Sequence, residues 1–219
     1  PVWTYDHNIA FPLYISGQID YVKPIRDIWR IEAGIKYYSI GTYTKTDVSG
    51  DITIAQTYLT QENNLAEYFT LSVKPLKALS LSAGLRCETM WRKSMSDEII
   101  YTDTVNVDFF PSFSMLYEFS EKYNLGISYS RRIERPRFYM LDPSLTIDPL
   151  LNKHGNPDLR NTINNKITLS ATMFKDLSVS AFAMYKKDPI AFYIYNDPDN
   201  PKVTDIRYLH TPNYWCFGG

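Results

Sequence analysis

The sequence predicts an all-β fold: an antiparallel up-and-down meander of roughly nine strands that forms part of a larger transmembrane β-barrel. Three observations carry this. Apolar or aromatic residues recur at every second position through eight segments, which is the period of a strand. The connections KPIRD, KPLK, SEK and KD are tight, whereas the alternate ones, KTDVSGDITIAQTYLTQENN and the stretch from Glu134 to Asn165, are long and polar. Aromatic residues make up 15% of the chain, more than a soluble core of this size needs, and girdles at two membrane interfaces would absorb them.

The strands are read in order as FPLYISGQIDYV, WRIEAGIKYYSIGTYT, EYFTLSVK, ALSLSAGLRCETMW, VDFFPSFSMLYEF, YNLGISYSRRI, KITLSATMF and LSVSAFAMYKK, with a ninth after Val203. The second sets Trp29, Ile31, Ala33, Ile35 and Tyr37 on one face against Arg30, Glu32, Gly34, Lys36 and Tyr38 on the other. In the fourth, Leu79, Leu81, Ala83, Leu85 and Cys87 oppose Ser80, Ser82, Gly84, Arg86 and Glu88. The fifth sets Phe109, Pro111, Phe113, Met115 and Tyr117 against Asp108, Phe110, Ser112, Ser114 and Glu118. Hydrocarbon favours the first row of each pair, and the charged row requires a watery lumen. Several segments exceed the roughly 9 to 11 residues of a tilted membrane strand, against about 5 to 6 for a mean globular strand. Trp29, Tyr43, Trp91, Tyr117, Phe119 and Tyr123 fall near expected strand ends, where girdles lie.

Composition narrows the function classes. A net charge of -1 with no basic stripe excludes a nucleic-acid partner. No apolar run matches a membrane helix, as expected where lipid-facing and lumenal residues alternate. Cys87 shares the parity of its apolar neighbours and reads as a small lipid-facing residue; Cys216 sits beside Trp215, and nothing pairs the two. The spacing of metal-binding motifs is missing, His154 is a lone loop histidine, and no cofactor or metal is assigned. No Gly-rich phosphate loop or Ser, His and Asp spacing singles out a catalytic centre, so an enzyme is not expected. The chain opens on Pro1, carries no leader and stops within NYWCFGG, and residues 1–219 are read as one partial barrel domain lacking signal peptide, plug and remaining strands. A soluble ligand-binding barrel or sandwich would alternate in the same way, but does not require one rim of long connections.

At YSRRIERPRFYMLDP, then GNPDLRNTINNKITLSATMF and MYKKDPI, the chain resembles the outer-membrane β-barrel family of TonB-dependent receptors, of the group common in Bacteroidetes. The matching residues are Tyr129, Ser130, Arg131, Arg132, Ile133, Arg135 and Pro136, then Gly155, Asn156, Pro157 and Leu159. GQIDYVKP, IEAGIKY, SLSAGLRCE and FFPSFSMLYEFSEKYNLGISYS extend the likeness over nearly the whole chain, with RNTINN a departure from the family's continuation. The resemblance implies a plugged barrel of about 22 strands in the cell outer membrane. It also implies energised uptake of a small nutrient, driven by a TonB-type energy-coupling complex that acts through a plug domain, with both supplied by parts outside this sequence. The alternative is an outer-membrane barrel with structural, adhesive or enzymatic work.

The densest charge feature is Arg131, Arg132, Glu134, Arg135 and Arg137, placed by the topology at the outer rim. Alternation sends Arg131 outward with Leu125, Ile127 and Tyr129, and Arg132 inward. Outward members are suited to the phosphates of lipopolysaccharide, because guanidinium makes bidentate contacts with phosphate oxygens. Inward members are suited to an anionic ligand or to the plug. The competing reading is a solvated rim whose arginines pair with carboxylates to shape the loop. GNPD reads as turn chemistry.

Overall fold

The structure, a computed structural model, describes residues 5–49, 54–96, 99–143, 146–148, 151–174, 176–196 and 201–219. Six long strands follow one another: β1 Tyr5–Ile25, β2 Trp29–Ser49, β3 Ile54–Leu76, β4 Leu79–Ser96, β5 Ile99–Ser120 and β6 Tyr123–Glu134. After β6 come a one-turn helix α1 Phe138–Leu141 and the short strands β7 Thr146–Asp148 and β8 Leu151–His154. β9 Thr162–Met173 and β10 Leu177–Lys187 return to the wall, β11 Ile190–Asn196 and β12 Thr204–His210 form a second excursion, and β13 Tyr214–Gly218 returns again. The wall is one nine-stranded antiparallel sheet in the order β1-β2-β3-β4-β5-β6-β9-β10-β13. The excursions join in a four-stranded sheet, β11-β12-β8-β7, in which β12 and β8 run parallel. The nine-stranded meander is the expected fold class.

One expectation fails. Most of the polar stretch from Lys45 to Asn64 is strand rather than loop: β2 runs on to Ser49 and β3 begins at Ile54, in register from Trp29↔Val73 out to Val48↔Ile54, while residues 50–53 lie outside the described residues. Its threonines, isoleucine and tyrosine suit a pleated backbone, and polar side chains cost nothing on a ladder standing in water. At about 3.3 Å per residue the 23 residues of β3 reach roughly 75 Å, more than twice a hydrocarbon core of about 30 Å. The outer rim is therefore built of projecting hairpins as well as loops. For the same reason Tyr43 and Trp91 lie within strands, and they mark a level along the wall rather than a strand end.

Alternation survives the whole sheet. Outside register shifts near Val73, Ser94 and Glu118, even residues pair with even residues in every wall ladder, as in Asp20↔Gly34, Gly34↔Tyr68, Tyr68↔Arg86 and Arg86↔Phe110. The even face of β3 and β4 is covered at its outer end, where Tyr58, Asn64, Glu88, Met90 and Arg92 are buried. It is the lumenal face. The odd face is bare: Leu85, Phe109, Leu169 and Val179 are 50–52% exposed. Left in water, each such side chain forfeits about 1.5–3 kcal/mol that hydrocarbon recovers. Glu67 is an outward exception, flanked across the strands by Ile35 and Cys87. Cys87 and Cys216 are both free thiols. Among the described residues no helix is long and apolar enough to cross a membrane.

Small residues let the lumenal face accept large ones. Tyr68 lies across Gly34, where an added Cβ would come within 2.6 Å of the ring, and its hydroxyl bonds the Asp20 carboxylate. Ser72 and Ser82 share a hydrogen bond of 3.0 Å between neighbouring strands. The two faces should answer oppositely to one charge. Leu85→Arg is expected to cost about 2–4 kcal/mol in reversible urea unfolding from lipid vesicles, whereas the lumenal Ser82→Arg should stay within about 1 kcal/mol.

Candidate functional site

The outer end of the lumenal face carries a charged cluster bound to the first excursion. β3 contributes Glu62 and Asn64, and β4 contributes Arg86, Glu88, Met90 and Arg92, all even residues one pleat apart. Arg86 Nη2 lies 2.5 Å from Glu88 Oε1, and Arg92 Nε donates to Glu62 Oε1 at 2.6 Å. Arg135, the first residue after β6, turns into this cluster. Its Nη2 donates to Glu88 Oε2 and, at 3.1 Å, to Asn64 Oδ1, while Nε sits 3.3 Å from Met90 Sδ. Glu88, with only 4% of its side chain exposed, thus holds one guanidinium from its own strand and one from the excursion. A buried carboxylate left with too few partners costs about 3–5 kcal/mol, so this contact fixes the excursion firmly. Two donors in the cluster, Arg92 Nη2 and Asn64 Nδ2, are buried without a protein acceptor. They favour an incoming oxygen, from water or from a ligand.

Aromatic and backbone contacts complete the cover. The Tyr58 ring packs 5.7 Å from Phe138, and its hydroxyl donates to the Leu141 carbonyl at 3.2 Å. Burial pushes the Tyr58 phenol above its ordinary value near 10.0, the hydroxyls of Ser94 and Thr60 opposing in part, so it donates as a neutral group at physiological pH. GNPD ties the excursion to itself: Gly155 N–H donates to Asp142 O at 2.7 Å, Asn156 N–H to Met140 O at 2.6 Å, and Asp158 N–H to Asn156 Oδ1 at 3.0 Å. Asn156 Nδ2 donates to Tyr208 O at 3.1 Å, joining the two excursions above a small core of Leu141, Leu159 and Tyr208. On the far side Arg160 Nη2 pairs with Asp188 at 3.0 Å, and Thr162 Oγ1 donates to Asp188 O at 2.9 Å where β9 begins.

The five rim residues singled out in the sequence separate. Arg132 projects to the lumenal side opposite Asn164, and Arg131 to the outer face opposite Asn165. Glu134 meets Lys186 at 3.6 Å, Arg135 enters the buried cluster, and Arg137 stands exposed before α1. Glu134, Arg135 and Arg137 share a cavity of about 280 Å³ with Lys186 and Tyr214. Glu62, Asn64, Glu88 and Arg92 escaped the sequence reading as site residues. Their only signal was polarity on the even face of two strands, and nothing local shows that Arg135 reaches them. Among the described residues no group of three or more His, Cys, Asp or Glu could hold a metal ion, and the His154 side chain lies outside the described residues.

Comparison with known proteins agrees with this architecture. The model of the outer membrane protein β-barrel family matches residues 7–211. No curated protein gives a significant sequence match. The copper transporter OprC superposes with a TM-score of 0.71 over 97% of this chain at 10% identity. The ferric-catecholate import receptor Fiu from E. coli K12 gives 0.61 over 95% at 11% identity. A mutant of the ferric enterobactin receptor PfeA from Pseudomonas aeruginosa, in complex with enterobactin, gives 0.59 over 96% at 13% identity. The chain covers 35%, 35% and 33% of those three chains, about a third of each, and at such identities the likeness is one of fold.

Gly155 tests how the cover is locked. A Cβ there would lie 2.5 Å from Asp142 O and 2.7 Å from both Asp142 N and Met140 O, all backbone atoms with little freedom to move. Gly155→Ala is expected to raise hydrogen exchange across residues 138–159 several-fold while leaving β4 and β5 protected.

Proposed function

Starting from a chain that belongs to the outer membrane protein β-barrel family and resides in the cell outer membrane, we propose that it forms part of the barrel of a TonB-dependent receptor for energised nutrient uptake. The observation that carries this reading is the cluster that Arg135 closes. An outer excursion pinned to the lumenal wall by buried charge presents a fixed surface, which suits a receptor that must hold a ligand-facing surface in place. Arg132 and Arg137 make no ion pair among the described residues and stand on or beside that surface. They are proposed to meet the ligand, with Glu134 and Arg135 positioning the segment between them.

The open sheet supports the rest. β1 and β13 are its two edges, and unpaired backbone groups are not tolerated in hydrocarbon, so further strands are proposed to close a larger barrel around a plug domain. At the end with the tight turns the lumenal wall encloses a hollow of about 800 Å³ floored by Ser72, Ser80, Ser82, Ser114 and Ser128. Short hydroxyl side chains leave room for a plug and offer it hydrogen bonds. Its displacement by an inner-membrane energy-coupling complex would open the path.

Arg135→Ala in the full-length receptor leaves Glu88 with Arg86 alone and is expected to loosen the excursion by about 3 kcal/mol. Energised uptake by cells should fall at least tenfold, with the receptor still folded in the outer membrane. Arg132→Gln should weaken ligand binding without loosening the excursion. Wild-type cells that show no energised uptake would favour a structural or adhesive barrel instead, and uptake that persists unchanged in both variants would contradict the roles given to Arg132 and Arg135.

A further inference from the structure

Between the tight turns and the level of Trp91, strands β2 to β6 carry just two charged residues at odd positions, Glu67 and Arg131. They bracket a panel of β4 and β5 whose outward rows, Leu79 to Trp91 and Val105 to Tyr117, are uncharged. Neither makes an ion pair among the described residues, and Arg131 Nε is buried without an acceptor. Along the ladders Glu67 is level with Cys87, and Arg131, two residues beyond Tyr129, is level with Leu85. Membrane strands tilt by about 35–45°, so at a spacing of about 4.8 Å the points of equal depth step by roughly one residue per strand. Two matching hydrogen bonds give the direction of that step. Tyr37 donates to Asn63 at 2.9 Å at the level of Thr89 and Trp91, and Tyr129 donates to Asn165 at 3.1 Å at the level of Ala83 and Leu85. The amphipathic level thus falls toward the tight turns from β2 to β9, and three strands bring Arg131 to within about one residue of the depth of Glu67.

Glu67 has Leu65 and Phe69 beside it in its own row and Ile35 and Cys87 across the strands, and a carboxylate so placed in hydrocarbon is costly alone. Within one copy the two charges stand three strands apart, roughly 14 Å, too far to pair. Lipid chains are as apolar as the panel between them, so apolar contact alone gives a partner no advantage over lipid; the charges do. A two-fold axis along the membrane normal, midway between β4 and β5, preserves depth and exchanges the flanks, so that Glu67 of each copy meets Arg131 of the other. We infer that a second copy of this chain covers the panel in the membrane, in an isologous contact closed by two such pairs. β4 then runs half a strand spacing from the axis, and symmetry sets Cys87, a free thiol on that face, at the depth of its counterpart. Dilution into excess lipid separates the copies and returns the panel to hydrocarbon. The contact rests on residence in the outer membrane and on the register of β3 and β6, not on what is transported.

Thiol cross-linking in outer-membrane fractions tests the contact, with the full-length protein carrying Cys87 as its only cysteine and a short bismaleimide as the reagent. The parent should give a cross-linked dimer, and Glu67→Gln or Arg131→Gln should each lower its yield about fivefold or more. Glu67→Arg alone sets guanidinium against guanidinium and should abolish it, whereas Glu67→Arg combined with Arg131→Glu should restore it. Lys166→Gln, which removes a lumenal cation, should change nothing. Heat-modifiable migration in gels shows which variants are folded, and the two glutamine variants decide the matter should the exchanged pair fail to fold. No dimer in the parent would overturn the assignment. So would a yield indifferent to Glu67→Gln, the result expected if Glu67 stood alone as a neutral acid or Arg131 served a lipid phosphate, and so would a folded exchanged pair that does not cross-link.

Discussion

Hydrocarbon offers a peptide group no hydrogen-bond partner, so each backbone donor and acceptor at membrane depth must be satisfied within the sheet. Every other feature of this chain depends on that constraint. Once the ladders are unbroken, side chains alternate between two surfaces, and the register decides which surface each residue meets. Here even residues pair with even residues across all the wall ladders outside the register shifts, so one numbering parity faces lipid from β1 to β13. A slip of one residue in any hairpin would invert the faces of the strand beyond it. The irregularities near Val73 and Glu118 lie beside tight turns, and the one near Ser94 lies beyond the apolar belt, where their cost is low.

The same ladders continue far past the belt, and there the constraint is relaxed. In water the projecting hairpins carry threonine, glutamine and asparagine, and their lumenal side becomes a scaffold for charge. The cluster around Glu88 draws on β3, β4 and the segment after β6, with Glu88 and Arg135 separated by 47 positions in the sequence. Rigidity of the wall is what permits this. Asn64, Met90 and Glu88 are held on adjacent pleats, so a single residue entering from the excursion finds its partners already oriented.

Period-two patterning made the wall legible in the sequence, because burial in lipid and exposure to the lumen are decided by parity alone. Arg131 outward and Arg132 inward followed from that rule, and the ladder to β9 places them so. Lys45 to Asn64 was misread for a physical reason: polarity distinguishes water from hydrocarbon, not loop from strand, and a hairpin standing in water is polar on both faces. Arg135 was visible as a charge but not as a latch, since its partners lie in strands distant in sequence. GNPD was legible as a turn, yet the closeness of Gly155 to the backbone of Asp142 depends on how the excursion folds back on itself.

The most direct test of the two-solvent wall is a nitroxide scan of β4 in the reconstituted full-length protein, with Cys87 and Cys216 first replaced by serine. Collision rates with oxygen, which concentrates in hydrocarbon, should peak at odd residues from Leu79 to Trp91. Rates with a water-soluble nickel reagent should dominate at even residues near the turn and take over the odd row from Lys93 outward. Oxygen maxima at Ser80, Ser82 and Gly84, or no alternation at all, would contradict it.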